Sequence, residues 1–156
     1  MMRRVHEVDG DLTTFDKADV LAHQCNTVTL HSKGLSAAVF KAFPEADTYS
    51  RRSSVRKTGE ISVHAVGSGQ RVVNMYAQRN PGKPREKGDL AADRIRHFES
   101  CLARLADLRA TIIKGVAFPR LIGCGLAGGH WPTYRRLLED FARKIYPIPV
   151  YIVRLK

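Results

Sequence analysis

The sequence predicts an α/β protein, a three-layer α/β/α sandwich with a central mixed sheet in a single domain spanning residues 1–156. Short apolar segments with strand character alternate with amphipathic segments of helical period, and this alternation is typical of helices covering both faces of a sheet. Two alternating segments flank a glycine-rich turn at residues 67–70, which predicts a β-hairpin and therefore one antiparallel strand. The length suits one domain with its own core.

Each element has a local signal. The predicted strands are short runs of β-branched and apolar residues at 5–8, 19–23, 60–66, 71–76, 111–118 and 150–155. The predicted helix at 35–43 is rich in Ala, Val and Phe, as in a buried helix. Those at 90–108 and 131–145 carry apolar residues three and four positions apart. Pro44 ends the first helix because the residue before a proline avoids helical geometry, and Asp89 is a candidate cap for the second. Residues 46–56 are a further candidate for helical structure.

Composition and charge narrow the class of protein. No apolar run is long enough to span a membrane, and no apolar core follows the basic N-terminus as in a secretory signal. The 3 cysteines lack the spacing of a disulfide framework or a zinc site, so we expect an intracellular protein without a metal. The net charge of +11 has two interpretations, a solvated basic surface or attraction to polyanions such as nucleic acid.

A glycine-rich loop at residues 118–131 lies between a predicted strand and the last predicted helix. Its four glycines allow positive φ and close approach of a ligand, and free N–H groups before a helix bind phosphate. Gly123, Gly125 and Gly128 match the spacing of the dinucleotide fingerprint. However, only one helix and one strand follow, and Glu139 falls inside that helix, so the ribose-binding acid is missing.

A second loop, at residues 27–34, also connects a predicted strand to a predicted helix. Loops that follow parallel strands meet at the carboxyl edge of the sheet, where α/β proteins bind ligands. The two loops therefore predict a nucleotide diphosphate held from two sides, without redox chemistry and without a cofactor.

Four motifs in this order resemble the macrodomain family, over nearly the whole chain. They are D-G-D-L-T at 9–13, V-L-A-H-Q-C-N at 20–26, S-K-G-L-S-A-A-V-F at 32–40 and I-G-C-G-L-A-G-G at 122–129. F-P-E-A at 43–46 and K-T-G-E at 57–60 are similar to the branch with ADP-ribose-1''-phosphate phosphatases, ADP-ribosyl-glutamate hydrolases and antitoxins that remove ADP-ribose from DNA.

The resemblance implies a role for each matching position. Asp11, with Leu12 beside it, would bind the adenine amino group, and Asn26 would lie near the distal ribose, where chemistry occurs. From the residues alone, Asp11 also suits a turn and Asn26 a loop cap. The implied diphosphate-binding positions are Ser32, Lys33, Gly34 and Leu35 in the first loop, and Gly123, Cys124, Gly125, Leu126, Ala127, Gly128 and Gly129 in the second.

Departures from the family pattern bear on catalysis. Gln78 stands where the glutamate-hydrolase and antitoxin branch has a lysine, and Ala127 where the glutamate hydrolases have an acidic residue. A lysine-adduct mechanism is therefore not expected. His23 has two interpretations, a general acid or base at the distal ribose or a buried histidine that orients the loop.

The resemblance therefore implies an ADP-ribose-binding protein, with hydrolysis at the 1'' position as the leading hypothesis, His23 and Asn26 as its catalytic candidates and no metal. The alternatives are a non-catalytic ADP-ribose reader and a hydrolase that acts on ADP-ribosylated nucleic acid. We expect a monomer with no membrane partner.

Overall fold

The computed structural model describes residues 5–50 and 56–156. Within these residues, six strands form one sheet in the order β1-β6-β5-β2-β4-β3. The strands are β1 (Val5–Asp9), β2 (Val20–Asn26), β3 (Ile61–Ala65), β4 (Arg71–Gln78), β5 (Val116–Pro119) and β6 (Val150–Arg154). The helices are α1 (Gly34–Ala42), α2 (Ala91–Ala106) and α3 (Trp131–Ile145). None of the helices in the described part of the chain is long and apolar enough to cross a membrane.

The sheet is mixed, as predicted. β3 pairs antiparallel with β4 through the hairpin, and every other neighbouring pair is parallel. The carboxyl ends of the parallel strands therefore lie at one edge. The loops that follow β1, β2, β4 and β5 all leave the sheet there, and this common edge positions the functional site.

Two apolar clusters lie on opposite faces of the sheet and make three layers. On one face α2 and α3 pack together, with Phe98 edge-on to Tyr134 at 4.8 Å between ring centroids. On the other face α1 contributes Phe40, whose ring meets that of Tyr49 at 5.1 Å. The predicted α/β/α fold is confirmed.

The predicted start of the strand at 111–118 and the predicted cap at Asp89 are wrong, and each error involves a carboxylate. β5 begins only at Val116, because residues 109–111 form a 3-10 turn and the carboxylate of Asp19 accepts the backbone N–H groups of the following residues 113–115. Asp89 does not cap α2. Leu90 is the N-cap residue, and its N–H donates to the carboxylate of Asp93 at 2.9 Å.

The candidate helix at residues 46–56 is not present as such in the described part. Residues Pro44–Ala46 form a 3-10 turn, and residues 47–50 that follow are not helical. Residues 51–55 lie outside the described ranges.

Candidate functional site

A cavity of about 870 Å³ opens at the carboxyl edge of β2, β4 and β5. Three loops form its walls: the loop between β2 and α1, the loop between β4 and α2, and the glycine loop after β5. This volume lies within the range of about 300–1,000 Å³ typical of ligand sites. The structure thus brings together the two loops that were predicted to share one ligand.

Asn26 ends β2 at the cavity, where the register with β4 shifts between Cys25 and Asn26. Its Oδ1 accepts the N–H groups of Val28 at 3.1 Å and Thr29 at 2.8 Å, and its own N–H donates to the Tyr49 hydroxyl at 2.8 Å. The carboxamide oxygen is therefore occupied by the loop. The Nδ2 group is the part of Asn26 that can donate to a ligand.

The first turn of α1 presents backbone N–H groups to the cavity. Lys33 is the N-cap residue without a side-chain cap bond, and Gly34 and Leu35 line the cavity beside it. The first N–H groups of a helix lack partners within the helix, and they attract anions. Lys33, Gly34 and Leu35 therefore line the cavity, whereas Ser32 does not.

The glycine loop forms the opposite wall with its residues 123–127. Gly123 has φ of 75°, and a β-carbon there would lie 2.5 Å from Cε2 of Tyr134, so only glycine fits. Leu126 reaches across to the first loop, because a β-carbon at Gly34 would meet its Cδ1 at 3.3 Å. Gly128 and Gly129 do not line the cavity; the N–H of Gly129 donates to Gly123 O at 3.0 Å and supports the turn.

Neutral carboxamides line the inner part of the cavity. Gln78 donates through Nε2 to Asn80 O at 2.9 Å, and Gln24 donates through Nε2 to Gln78 Oε1 at 2.7 Å. Because a backbone carbonyl only accepts, the orientation of both amides is fixed. Gln24 Oε1 is left buried beside Gly123, with no hydrogen-bond donor among the described residues.

The loop between β4 and α2 is held by a buried ion pair. Arg94 contacts both carboxylate oxygens of Asp89 and also donates to backbone carbonyls of residues 80, 82 and 127. Burial alone would raise the pKa of Asp89, but the hydrogen bonds from Arg94 and from the N–H groups of Arg79 and Asn80 lower it to about 2. Arg94 thereby joins this loop to the glycine loop.

The cavity has a cationic lining. Lys33, Arg85 and Arg120 line it, and no aspartate or glutamate does so among the described residues. Cys124 also lines it, but burial raises the pKa of its thiol to about 11, so the thiol is protonated at neutral pH. No cluster of three or more His, Cys, Asp or Glu suited to a metal ion occurs in residues 5–50 and 56–156.

His23 lies in the interior beneath α1 and does not line the cavity. It is 1% exposed, and its Nε2 lies 2.6 Å from Oδ1 of Asn74. Because Asn74 uses Nδ2 to donate to Ala46 O, His23 must be the donor and carries its proton on Nε2. Burial lowers the pKa of His23 to about 4. These contacts favour the interpretation of His23 as a buried, orienting histidine.

Asp11 and Leu12 follow β1 at the same edge but outside the large cavity. Asp11 is exposed and accepts from the N–H and Oγ1 of Thr13, while Leu12 is buried. A second cavity of about 370 Å³ lies between the ends of β1 and β6, and Arg120 lines both cavities. The two cavities are thus neighbours along one sheet edge.

The motifs did not identify Tyr49, Arg85 or Arg120 as site residues. Tyr49 reaches Asn26 from the loop after α1, and no local pattern indicates a contact over that separation. Gln24 had a usable signal, because it is polar and lies in an apolar strand two residues before Asn26.

The chain is similar in sequence to a phage protein and in fold to several solved structures. No protein-family model matches it. A 17.5 kDa protein from the tk-vs intergenic region of Enterobacteria phage T4 is 26% identical over 150 residues, covering 90% of this chain and 92% of the phage protein. A macrodomain protein from Streptomyces coelicolor is 27% identical with a TM-score of 0.70, covering 96% of this chain and 97% of that one. Thermosipho africanus DarTG, solved with ADP-ribose, is 22% identical with a TM-score of 0.71, covering 97% of this chain and 42% of that one.

Proposed function

We propose that this chain, which has the fold of the macrodomain family, binds ADP-ribose in the large cavity. The observation that carries the proposal is the pairing of two backbone loops across that cavity. The uncapped start of α1 and the glycine loop face each other, and Lys33 and Arg120 add positive charge. The Thermosipho africanus relative, solved with ADP-ribose, supports this choice of ligand.

The strand order suggests how an elongated ligand would lie along the carboxyl edge of the sheet, from the end of β1 past β5 to the end of β2. The diphosphate would lie between Gly34 and the glycine loop, where backbone N–H groups are concentrated. The adenine would extend past Arg120 towards Asp11, and the distal ribose towards Asn26. In this orientation Asn26 Nδ2 would donate to an oxygen of the distal ribose.

A second candidate function is hydrolysis at the 1'' position, and the cationic lining favours it. Three cations exceed what a diphosphate of about two negative charges requires, so Arg85 would suit a further phosphate on the distal ribose. A water would attack that phosphorus, the bond to the ribose oxygen would break, and ADP-ribose and inorganic phosphate would leave. Asn26 would hold the ribose, and His23 would act only through the packing beneath the loop.

The binding proposal is tested by calorimetry with ADP-ribose on a matched pair of variants. Gly125 lines the cavity and Gly67 lies in the β3–β4 turn, and a β-carbon at either position would meet no atom within 4 Å. Gly125→Asp should weaken binding about 100-fold or more, because like charges about 4 Å apart repel by about 4 kcal/mol near a surface. Gly67→Asp adds the same charge and should bind like the wild type. Wild-type protein that does not bind ADP-ribose would refute the proposal.

Release of inorganic phosphate from ADP-ribose-1''-phosphate separates the two candidate functions. Asn26→Asp keeps the oxygen that holds Val28 and Thr29 but removes the Nδ2 donor, so it should abolish release while the fold persists. Tight ADP-ribose binding without any phosphate release by the wild type would refute this phosphatase activity and leave the binding function.

A further inference from the structure

Tyr49 connects the interior of the protein to the main chain of Asn26. Its hydroxyl accepts the N–H of Asn26 at 2.8 Å, and its side chain lines the large cavity while remaining only 3% exposed. The ring is fixed on two sides, by Phe40 edge-on at 5.1 Å and by the Arg56 guanidinium at 5.2 Å from its centroid.

The same contacts hold the loop that follows Asn26. Arg56 donates to Thr29 O at 2.8 Å, and Thr29 N–H donates to Asn26 Oδ1 at 2.8 Å. Tyr49 and Arg56 therefore hold the main chain of segment 26–29, and the side chain of Asn26 holds it from within. Asn26 cannot shift without breaking at least one of these hydrogen bonds.

We infer that Tyr49 is a positioning residue for the end of the ligand that contacts Asn26. At the register shift, Cys25 pairs with Tyr76 and Asn26 with Gln78, so β4 has one extra residue there, and the N–H of Asn26 donates to the Tyr49 hydroxyl instead of to β4. The Tyr49 hydroxyl therefore supports the main chain of Asn26. Once the N–H and Oδ1 of Asn26 are held, only its Nδ2 is directed to the ligand.

This inference rests on the proposed function, and it predicts a selective loss of affinity. Tyr49→Phe keeps the ring between Phe40 and Arg56 and removes only the hydroxyl. ADP-ribose affinity should fall about three- to tenfold, the range expected for one hydrogen bond. ADP, which lacks the distal ribose, should bind Tyr49→Phe as it binds the wild type.

The matched control is Tyr76→Phe. Tyr76 is also buried and hydrogen-bonded through its hydroxyl, to Thr48 at 2.6 Å and Ser62 at 3.0 Å, but it does not line the cavity. Both variants should lose similar thermal stability, and only Tyr49→Phe should lose ADP-ribose affinity.

Four outcomes would contradict the positioning role of Tyr49 or the proposed function on which it rests. Equal losses of ADP and ADP-ribose affinity in Tyr49→Phe, or unchanged binding of both, would overturn the positioning role. The same selective loss in Tyr76→Phe would show a general effect of a missing buried hydroxyl and would also overturn it. Wild-type protein that binds neither ligand would instead refute the proposed function, before any variant is compared.

Discussion

A histidine in an apolar interior resists protonation, and His23 is such a residue. It is enclosed by Phe40, edge-on at 5.3 Å, and by the hydrogen bond to Asn74. Its pKa, lowered to about 4 by burial, is below the ordinary 6.5. The unfolded chain therefore takes up a proton at a higher pH than the folded chain does.

We expect acid to destabilise the fold through His23 between pH 6.5 and pH 4. Above pH 6.5 neither state binds the proton and there is no effect. As the pH falls to 4, the free energy of unfolding should decrease by about 3 kcal/mol from this group. Denaturant titrations across this range should show a smaller decrease in His23→Gln. The exposed His130→Gln substitution is the control and should keep the wild-type slope; an unchanged slope in His23→Gln would contradict the assignment.

Among the elements, α2 covers the sheet and also connects the two loops beside the cavity. Its residue Arg94 is 2% exposed and binds a carboxylate and carbonyls from both loops beside the cavity. Arg96, two positions further on, is 66% exposed and pairs with Asp93. Two arginines of the same helix thus form ion pairs, one buried and one exposed, so the contributions of the two pairs to stability can be compared directly.

Arg94→Met should lower the free energy of unfolding by about 3–5 kcal/mol, because it leaves the carboxylate of Asp89 buried without its cation. Arg96→Met should cost less than about 1 kcal/mol, since exposed pairs contribute little. Chemical denaturation of the two variants measures the difference. Similar small losses in both would show that the buried pair does not hold the loops.

On the scale of the whole molecule, the net charge of +11 favours the hypothesis that the protein attracts nucleic acid. Arg85 and Lys87 lie in the loop at the cavity, whereas Arg143 and Lys144 lie in the last turn of α3, which ends at the amino edge of the sheet.

We expect weak binding of single-stranded DNA that decreases steeply between 50 and 200 mM salt, because phosphate contacts release counterions. Reversal of Arg85 and Lys87 to glutamate should reduce this affinity more than the same reversal of Arg143 and Lys144. Fluorescence anisotropy measures both effects. Binding that salt does not weaken, or equal losses in the two variants, would remove this hypothesis.

The sequence predicted the architecture and the two loops because both have local signals. Period-2 and helical patterns locate α1, α3 and the hairpin, and the glycines at 123–129 indicate a ligand loop. The resemblance to the macrodomain family is confirmed by solved structures. The wall formed by Arg85 and the support from Tyr49 depend on contacts between distant segments, which no local pattern encodes. Asp89 was assigned to the wrong role because its carboxylate binds Arg94, five residues further on, and the N–H groups of Arg79 and Asn80, instead of the first turn of α2.

Asn26 has a consequence for selectivity that does not depend on the size of the cavity. Its oxygen already serves Val28 and Thr29, so it meets a ligand with hydrogen atoms only. A ligand atom with a free lone pair at this point gains a bond, whereas an N–H group there would face another N–H group. The site would therefore bind a ligand with a hydrogen-bond acceptor at this point more tightly than a ligand of the same shape with a donor there.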